Sequence, residues 1–372
     1  MSAVLSEITA RHHAHTGAVS SPSDFTLSDG QQVPPEIVLS SPDWSLYSID
    51  AEKGIAMFVE LPPGTDLATA AFVYMTQFEL AVRAVVMPLD LLGPLSQQVE
   101  LPENFGILFS TGRCGSTLAS RILAQIPDVW SISEPDVLQN LAFARFHIPQ
   151  EQMVPLLQAV TRLLFRPPAG RKVRSFVIKP RAESVVQAPE FAQALPESRN
   201  VFMYRDAEGF VNSLHKFVQK LIGQEAALAP DGWLIGWPFS SINAPFDLLD
   251  DYFPEDRDTV DHVSVMTMGW VIRMDAYLDA LENGIQMQPL HYQDLNTNRS
   301  EETGRLLRAF GISPSHIDLA MKAFETDSQA GTGGDRDLPS IPLTKAQRAR
   351  VQELLVRWER PDYRAGRLPV GK

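Results

Sequence analysis

From residue 104 onward, apolar positions switch between short continuous runs and four-residue repeats, the pattern of strands alternating with helices. Gly106, Ile107, Leu108 and Phe109 form one uninterrupted run, as a strand buried on both faces requires. Leu118, Ile122 and Ile126 then recur every four residues until Pro127 stops the helix. Two further strands, SFVIK (residues 175–179) and NVFMY (200–204), are each followed by polar residues and helical periodicity. After the second, Phe210, Leu214, Val218 and Leu221 make the apolar face. A long amphipathic helix carrying Met266, Trp270, Met274, Tyr277 and Leu281 leads into a fourth strand, IQMQPLHY. Later, Ser313-Pro314 supplies an N-cap and first-turn proline, and Thr344 with Gln347 a capping box. Repeated strand–helix alternation predicts a three-layer α/β fold with a central parallel sheet flanked by helices.

The first hundred residues read differently. Residues 1–42 are rich in Ser, Pro and small polar side chains without a sustained period, so a flexible arm is expected, and His12, His13 and His15 within it read as solvated rather than metal-ligating. Two strand-like runs, WSLYSI and IAMFVEL, then precede PPGTDL and an apolar stretch over 67–89. With Glu79 and Arg83 inside it, that stretch predicts an amphipathic helix rather than a membrane span. Residues 93–104 read as a connection. The expected division is a flexible arm (1–42), a small N-terminal α+β appendage (43–100) and a main α/β domain (101–372).

Composition narrows the function classes. With 44% hydrophobic residues and six Trp, a sizeable core is expected in a soluble protein. The 372 residues hold 32 Lys+Arg against 45 Asp+Glu, a net charge of −13, which argues against nucleic-acid or anionic-membrane partners held by bulk charge. One Cys excludes a disulfide framework or thiolate metal site within the chain. The opening MSAVLSEITARHHAH lacks the charged start and apolar run of a secretory signal, so a cytoplasmic location is expected.

The most informative segment follows the first buried strand: Ser110, Thr111, Gly112, Arg113, Cys114, Gly115, Ser116 and Thr117. Glycines let backbone N–H groups turn inward, and the helix behind them favours an anion at its N-terminus. The segment is built to hold phosphate. A kinase or ATPase loop would place Lys before the Ser-Thr pair, and here Lys is absent while Arg113 is offered instead. A Cys-based phosphatase would need five residues between Cys and Arg, whereas six separate Cys114 from Arg121, and Arg121 falls within the helix. Cys114 reads as a small residue of the loop.

These residues resemble the sulfotransferases that use 3′-phosphoadenosine 5′-phosphosulfate (PAPS), a family with a P-loop NTPase-like fold. The family's 5′-phosphosulfate loop, Arg-Ser-Gly-Thr/Ser-Thr after a strand, is matched by Arg113-Cys114-Gly115-Ser116-Thr117, with Cys in place of Ser. Its second signature, an Arg at a strand end and a Ser eight residues later, both on the 3′-phosphate, is matched by Arg205 and Ser213. Tyr292-Gln293-Asp294-Leu295 and the helix after it are similar to a late Tyr-Glu-Asp-Leu segment. The resemblance covers residues 104–336 and implies PAPS as co-substrate, with no metal.

The resemblance also suggests roles. Glu134, after the strand that follows the phosphate-loop helix, corresponds to the general base of the tyrosylprotein branch; other branches use His, for which His147 or His215 would stand in. Lys179, at the end of SFVIK, is similar to the Lys that steadies the bridging oxygen of the leaving phosphate. Ser328 and GTGGDR (331–336) stand where the family has a loop over the nucleotide, though Arg-Lys-Gly is missing. The acid-rich run 247–261 reads as a solvated loop, or a lid for a cationic acceptor. Small-molecule, carbohydrate and peptide acceptors all stay open, as do a P-loop kinase-like phosphotransferase and a non-catalytic nucleotide-binding module.

Overall fold

The computed structural model describes residues 2–13, 18–145, 148–222, 251–254, 260–328 and 340–361, without the side chains of 220–222. His15, His147, the 331–336 segment and most of the acid-rich run therefore lie outside the described residues, as does the side chain of Leu221. At the end of that run, Asp261 caps a helix by accepting from Ser264 N at 2.7 Å.

The chain first builds a six-stranded antiparallel sheet from β1 (Ala3–Arg11), β2 (Phe25–Leu27), β3 (Gln31–Val33), β4 (Trp44–Asp50), β5 (Ile55–Glu60) and, after α1 (Val73–Leu80), β6 (Arg83–Pro88). Two expectations are corrected here. The first residues are not a flexible arm, because β1 pairs with β2, β3 and β6 and buries Ala3 and Leu5. The expected single helix over 67–89 is instead α1 followed by β6. Val85 and Val86 suit a strand, Pro88 cannot continue a helix, and Arg83 faces Glu60 across the β5–β6 pair in a 2.5 Å ion pair. The 93–104 connection is in part helical, through α2 (Leu92–Ser96).

The second sheet is the parallel one. Its strands β7 (Asn104–Ser110), β8 (Val129–Ser133), β9 (Ser175–Lys179), β10 (Arg199–Tyr204) and β11 (Gln288–His291) lie in the order β11-β10-β7-β9-β8. Between them run α3 (Ser116–Ala124), α4 (Val137–Ala144), α5 (Gln150–Leu163), α6 (Ala188–Ala194), α7 (Ala207–Ile222) and α8 (His262–Glu282). Beyond β11 come α9 (Tyr292–Thr297), α10 (Arg299–Ala309), α11 (Ile317–Met321) and α12 (Lys345–Arg357).

Both faces of this sheet are covered, so its strands read as continuous apolar runs. On one face Leu108, Val177, Val201 and Met203 pack with Leu118 and Ile122 of α3 and Leu306 and Leu307 of α10. On the other, Ile107, Phe109, Phe176 and Phe202 share one core with α5, α6, α8 and, from the antiparallel sheet, Leu46, Phe58 and Val85. The N-terminal unit is therefore fused to the α/β unit through common packing. Among the described residues no helix is long and apolar enough to cross a membrane.

In the strand order, β7 has the later β9 on one side and β10 on the other. A crevice opens at such a switch point beyond the C-terminal strand ends, where the motif residues lie.

Candidate active site

The loop after β7 turns on two left-handed glycines, Gly112 and Gly115, each at φ 77°. A Cβ on Gly115 would come within 2.9 Å of the Tyr292 ring, so glycine is needed there for both conformation and space. Gly115 is also the N-cap of α3, and no side chain caps that end, which leaves backbone donors for a ligand. The loop is braced from behind: Thr111 N donates to Met203 O at 3.0 Å, and the Cys114 thiol donates to the same carbonyl at 3.2 Å.

A cavity of about 350 Å³ lies over the loop and the ends of β8, β9 and β10. Arg113, Gly115, Ser116, Thr117, Glu134, Lys179, Arg205 and Ser213 all line it, so residues far apart in sequence meet at one place. Cys114 does not line it. Its side chain is fully buried behind the loop, where burial pushes the thiol's pKa up, which leaves the backbone of Cys114 as the part of it that a ligand over the loop could meet.

Arg113 and Ser213 are joined directly, Nε donating to Oγ at 3.4 Å, which ties the loop to α7. The Arg113 guanidinium lies 4.4 Å from the Phe217 ring, and burial pulls its pKa down to about 10 against the opposing pull of Glu134. Arg205 sits 4.5 Å from the Tyr292 ring, its carbonyl accepts from Trp270 Nε1 at 2.9 Å, and its buried Nε has no hydrogen-bond partner among the described residues.

Parallel pairing sets Ser133 opposite Lys179. One residue on, Glu134 N donates to Lys179 O at 2.7 Å with Glu134 in the left-handed region at φ 55°. Lys179 Nζ forms an ion pair with Glu134 Oε1, and the ammonium is almost fully buried. A half-buried carboxylate and a buried cation thus stand side by side at the mouth of the sheet. Two residues further, Arg181 grips Asp136 with two hydrogen bonds, Nε to Oδ1 at 2.6 Å and Nη2 to Oδ2 at 2.8 Å.

No family model matches the chain. No curated protein matches it either. Among solved structures it is similar to a sulfotransferase from Alicyclobacillus acidocaldarius, with 14% identity over 71% of this chain and 98% of that one, at a TM-score of 0.40. A sulfotransferase domain from the curacin biosynthetic pathway aligns at 14% identity over 70% and 99%, with a TM-score of 0.37. A Mycobacterium avium sulfotransferase aligns at 12% over 73% and 81%, with a TM-score of 0.40.

Several residues without a motif also reach the site. Phe72 and Tyr74 enter the cavity from the N-terminal unit, and Arg273 of α8, paired to Glu183 at 2.5 Å, lines it as well. Tyr292 was visible within its motif but carried no role. Asp327 also borders the cavity, next to Ser328, the described part of the segment that resembles the family's loop over the nucleotide.

His215 does not line the cavity. It stacks on His262, with ring centroids 5.2 Å apart, and Gln219 Nε2 donates to its Nε2 at 2.7 Å. Burial, aided by His262, lowers its pKa from 6.5 to about 4, so the folded protein holds it neutral. An unfolded chain takes up a proton on His215 near pH 6.5 that the folded chain refuses until about pH 4. Stability is therefore complete above pH 6.5 and falls through that window, by an amount on the order of 2–3 kcal/mol. In urea titrations at pH 7 and pH 4.5, His215→Leu should show a smaller acid loss than the wild type; an identical loss would exclude His215 as the source.

Proposed function

We propose that this protein is a sulfotransferase that moves the sulfuryl group of PAPS to a hydroxyl or amine acceptor, with Glu134 as general base. One observation carries the reading: the 110–117 loop with Arg113, and Arg205 with Ser213, border the same cavity as the Glu134–Lys179 ion pair.

The site suits an anionic nucleotide with two phosphate groups. The uncapped N-terminus of α3 and the Arg113 guanidinium would hold one, and Arg205, with a buried Nε awaiting an acceptor, would hold the other together with Ser213. When bound, PAPS supplies an activated sulfuryl group and a phosphate leaving group. Glu134 takes the proton of the acceptor as its oxygen or nitrogen attacks. Lys179 supplies positive charge where the leaving group gains negative charge, exchanging its contact with Glu134 for that task and freeing the carboxylate to act as a base. The N-terminus of α3 holds its donors in place and needs no reorganisation during the reaction.

Binding of adenosine 3′,5′-bisphosphate tests the nucleotide assignment. The wild type should show a calorimetric isotherm and a thermal shift, and replacing both Arg113 and Arg205 by Ala should weaken affinity at least about 100-fold, each lost charge-assisted grip removing about 1.5–3 kcal/mol. A thermal shift with ATP and magnesium, but none with the bisphosphate, would replace this reading with a kinase-like phosphotransferase. Binding without transfer to any acceptor would leave a nucleotide-binding module.

A further inference from the structure

We infer that the N-terminal unit forms the acceptor side of the cleft, and that Phe72 and Tyr74 select an uncharged acceptor carrying an apolar ring beside its reacting hydroxyl. The inference rests on the sulfotransferase reading and deepens it. Phe72 and Tyr74 come from the start of α1, in the antiparallel unit, yet both line the cavity of the parallel sheet. Their rings pack against each other, 5.9 Å between centroids and 30° between planes. They also adjoin the reacting residues. Lys179 Nζ lies 5.9 Å from the Phe72 ring, and the Arg181 guanidinium lies 4.3 Å from the Tyr74 ring. An acceptor hydroxyl presented to Glu134 therefore has this aromatic pair as its neighbour.

Charge points the same way. Of the cations that line this cavity, Lys179, Arg181 and Arg273 are each engaged by a carboxylate: Lys179 by Glu134, Arg181 by Asp136 and Arg273 by Glu183. A sulfated, phosphorylated or acidic acceptor lying against Phe72 and Tyr74 would have to break the Lys179 or the Arg181 pair to gain a partner there. An apolar ring needs none of them, and Phe210, Leu214 and Met266 add apolar surface to the same cavity.

The wall is also fixed in place, as a specificity element must be. Arg11 of β1 donates to Phe78 O at 2.9 Å and to Ala81 O, tying α1 to the antiparallel sheet. That unit is anchored in turn to the α/β unit: Ser20 N donates to Asp136 Oδ2 at 2.9 Å, Asn140 Nδ2 to Ser20 O at 2.9 Å, and Ile49 N to Asn140 Oδ1 at 3.1 Å.

The test measures binding of 2-naphthol, glucose and an acidic tyrosine-containing peptide to the full chain, by calorimetry with saturating adenosine 3′,5′-bisphosphate. The wild type should bind 2-naphthol at least about tenfold tighter than the other two. Phe72→Ala and Tyr74→Ala should each weaken 2-naphthol about tenfold and bisphosphate less than about twofold, the loss expected for an aromatic contact. Phe72→Leu keeps the site filled if the alanine variant does not fold, and should weaken 2-naphthol about threefold. Tighter binding of glucose or the peptide overturns the inference. So does unchanged 2-naphthol affinity in variants that still bind bisphosphate. Failure of the wild type to bind bisphosphate would instead sink the sulfotransferase reading, while a 2-naphthol loss at Phe72 would still stand for the wall.

Discussion

Glu134→Gln should lower turnover about 1,000-fold, within the range by which a positioned general base accelerates proton transfer. Nucleotide affinity should not fall with it and should rise. Glu134 is a negative charge at the edge of an anion site, close enough to support the charged form of Arg113, and it occupies Lys179. Glutamine keeps the shape, removes the charge and leaves Lys179 free to meet the leaving phosphate. The expected pattern is a collapse in kcat for transfer of labelled sulfate to 2-naphthol or another accepted hydroxyl compound, with equal or tighter binding of adenosine 3′,5′-bisphosphate by calorimetry. Lys179→Ala should separate from it by losing both, because it removes a cation from the anion site and leaves the Glu134 carboxylate there without its partner. Turnover of the glutamine variant within tenfold of wild type would remove Glu134 from the chemistry.

The parts of this site that could be read from the sequence are those encoded over a few residues. The phosphate loop is one continuous segment whose glycine spacing and following helix register carry the geometry. β7, β9 and β10 are buried on both faces, so each appears as an uninterrupted apolar run with its charged or polar site residue just at or beyond its end. What escaped depends on pairing between distant segments. β1 looks polar because its second half exposes Glu7, Thr9 and Arg11, and what makes it a strand is Val4 lying opposite Val86. The run over 67–89 satisfies a helix or a helix and a strand equally until β5 and β1 are there to pair with its second half. Phe72 and Tyr74 carry no local mark of a site, since aromatic side chains in such a run read as core. The basic segment 171–181 hides two different tasks: Arg171 pairs with Asp66 at 2.9 Å, holding β8's surroundings to the N-terminal unit, while Arg181 pairs with Asp136 beneath the cleft.

Asp136→Ala should be the most destabilising single change in this region, costing about 3–5 kcal/mol, because it removes the carboxylate that Arg181 grips with two hydrogen bonds. The carboxylate is fully buried and accepts four hydrogen bonds, two from Arg181 and two from Ser20, the latter through N at 2.9 Å and Oγ at 3.1 Å. Its loss should therefore loosen the N-terminal unit as well as the end of β9, and an unfolding midpoint lower by about 5–10 °C is expected by calorimetry. A double variant, Asp136→Leu with Arg181→Met, should recover part of that loss, since the orphaned charge rather than the missing attraction accounts for most of it. Recovery of stability need not restore activity. Asp136 and Arg181 each lie two residues beyond Glu134 and Lys179 on paired strand ends, so the ion pair fixes where the reacting pair points, and the apolar replacement keeps the packing without the directional bonds. A variant that regains its melting temperature but not its kcat would assign the pair to positioning. An Asp136→Ala protein within 1 kcal/mol of wild type would show that water reaches Arg181, and that the seam between the two units is open where the structure closes it.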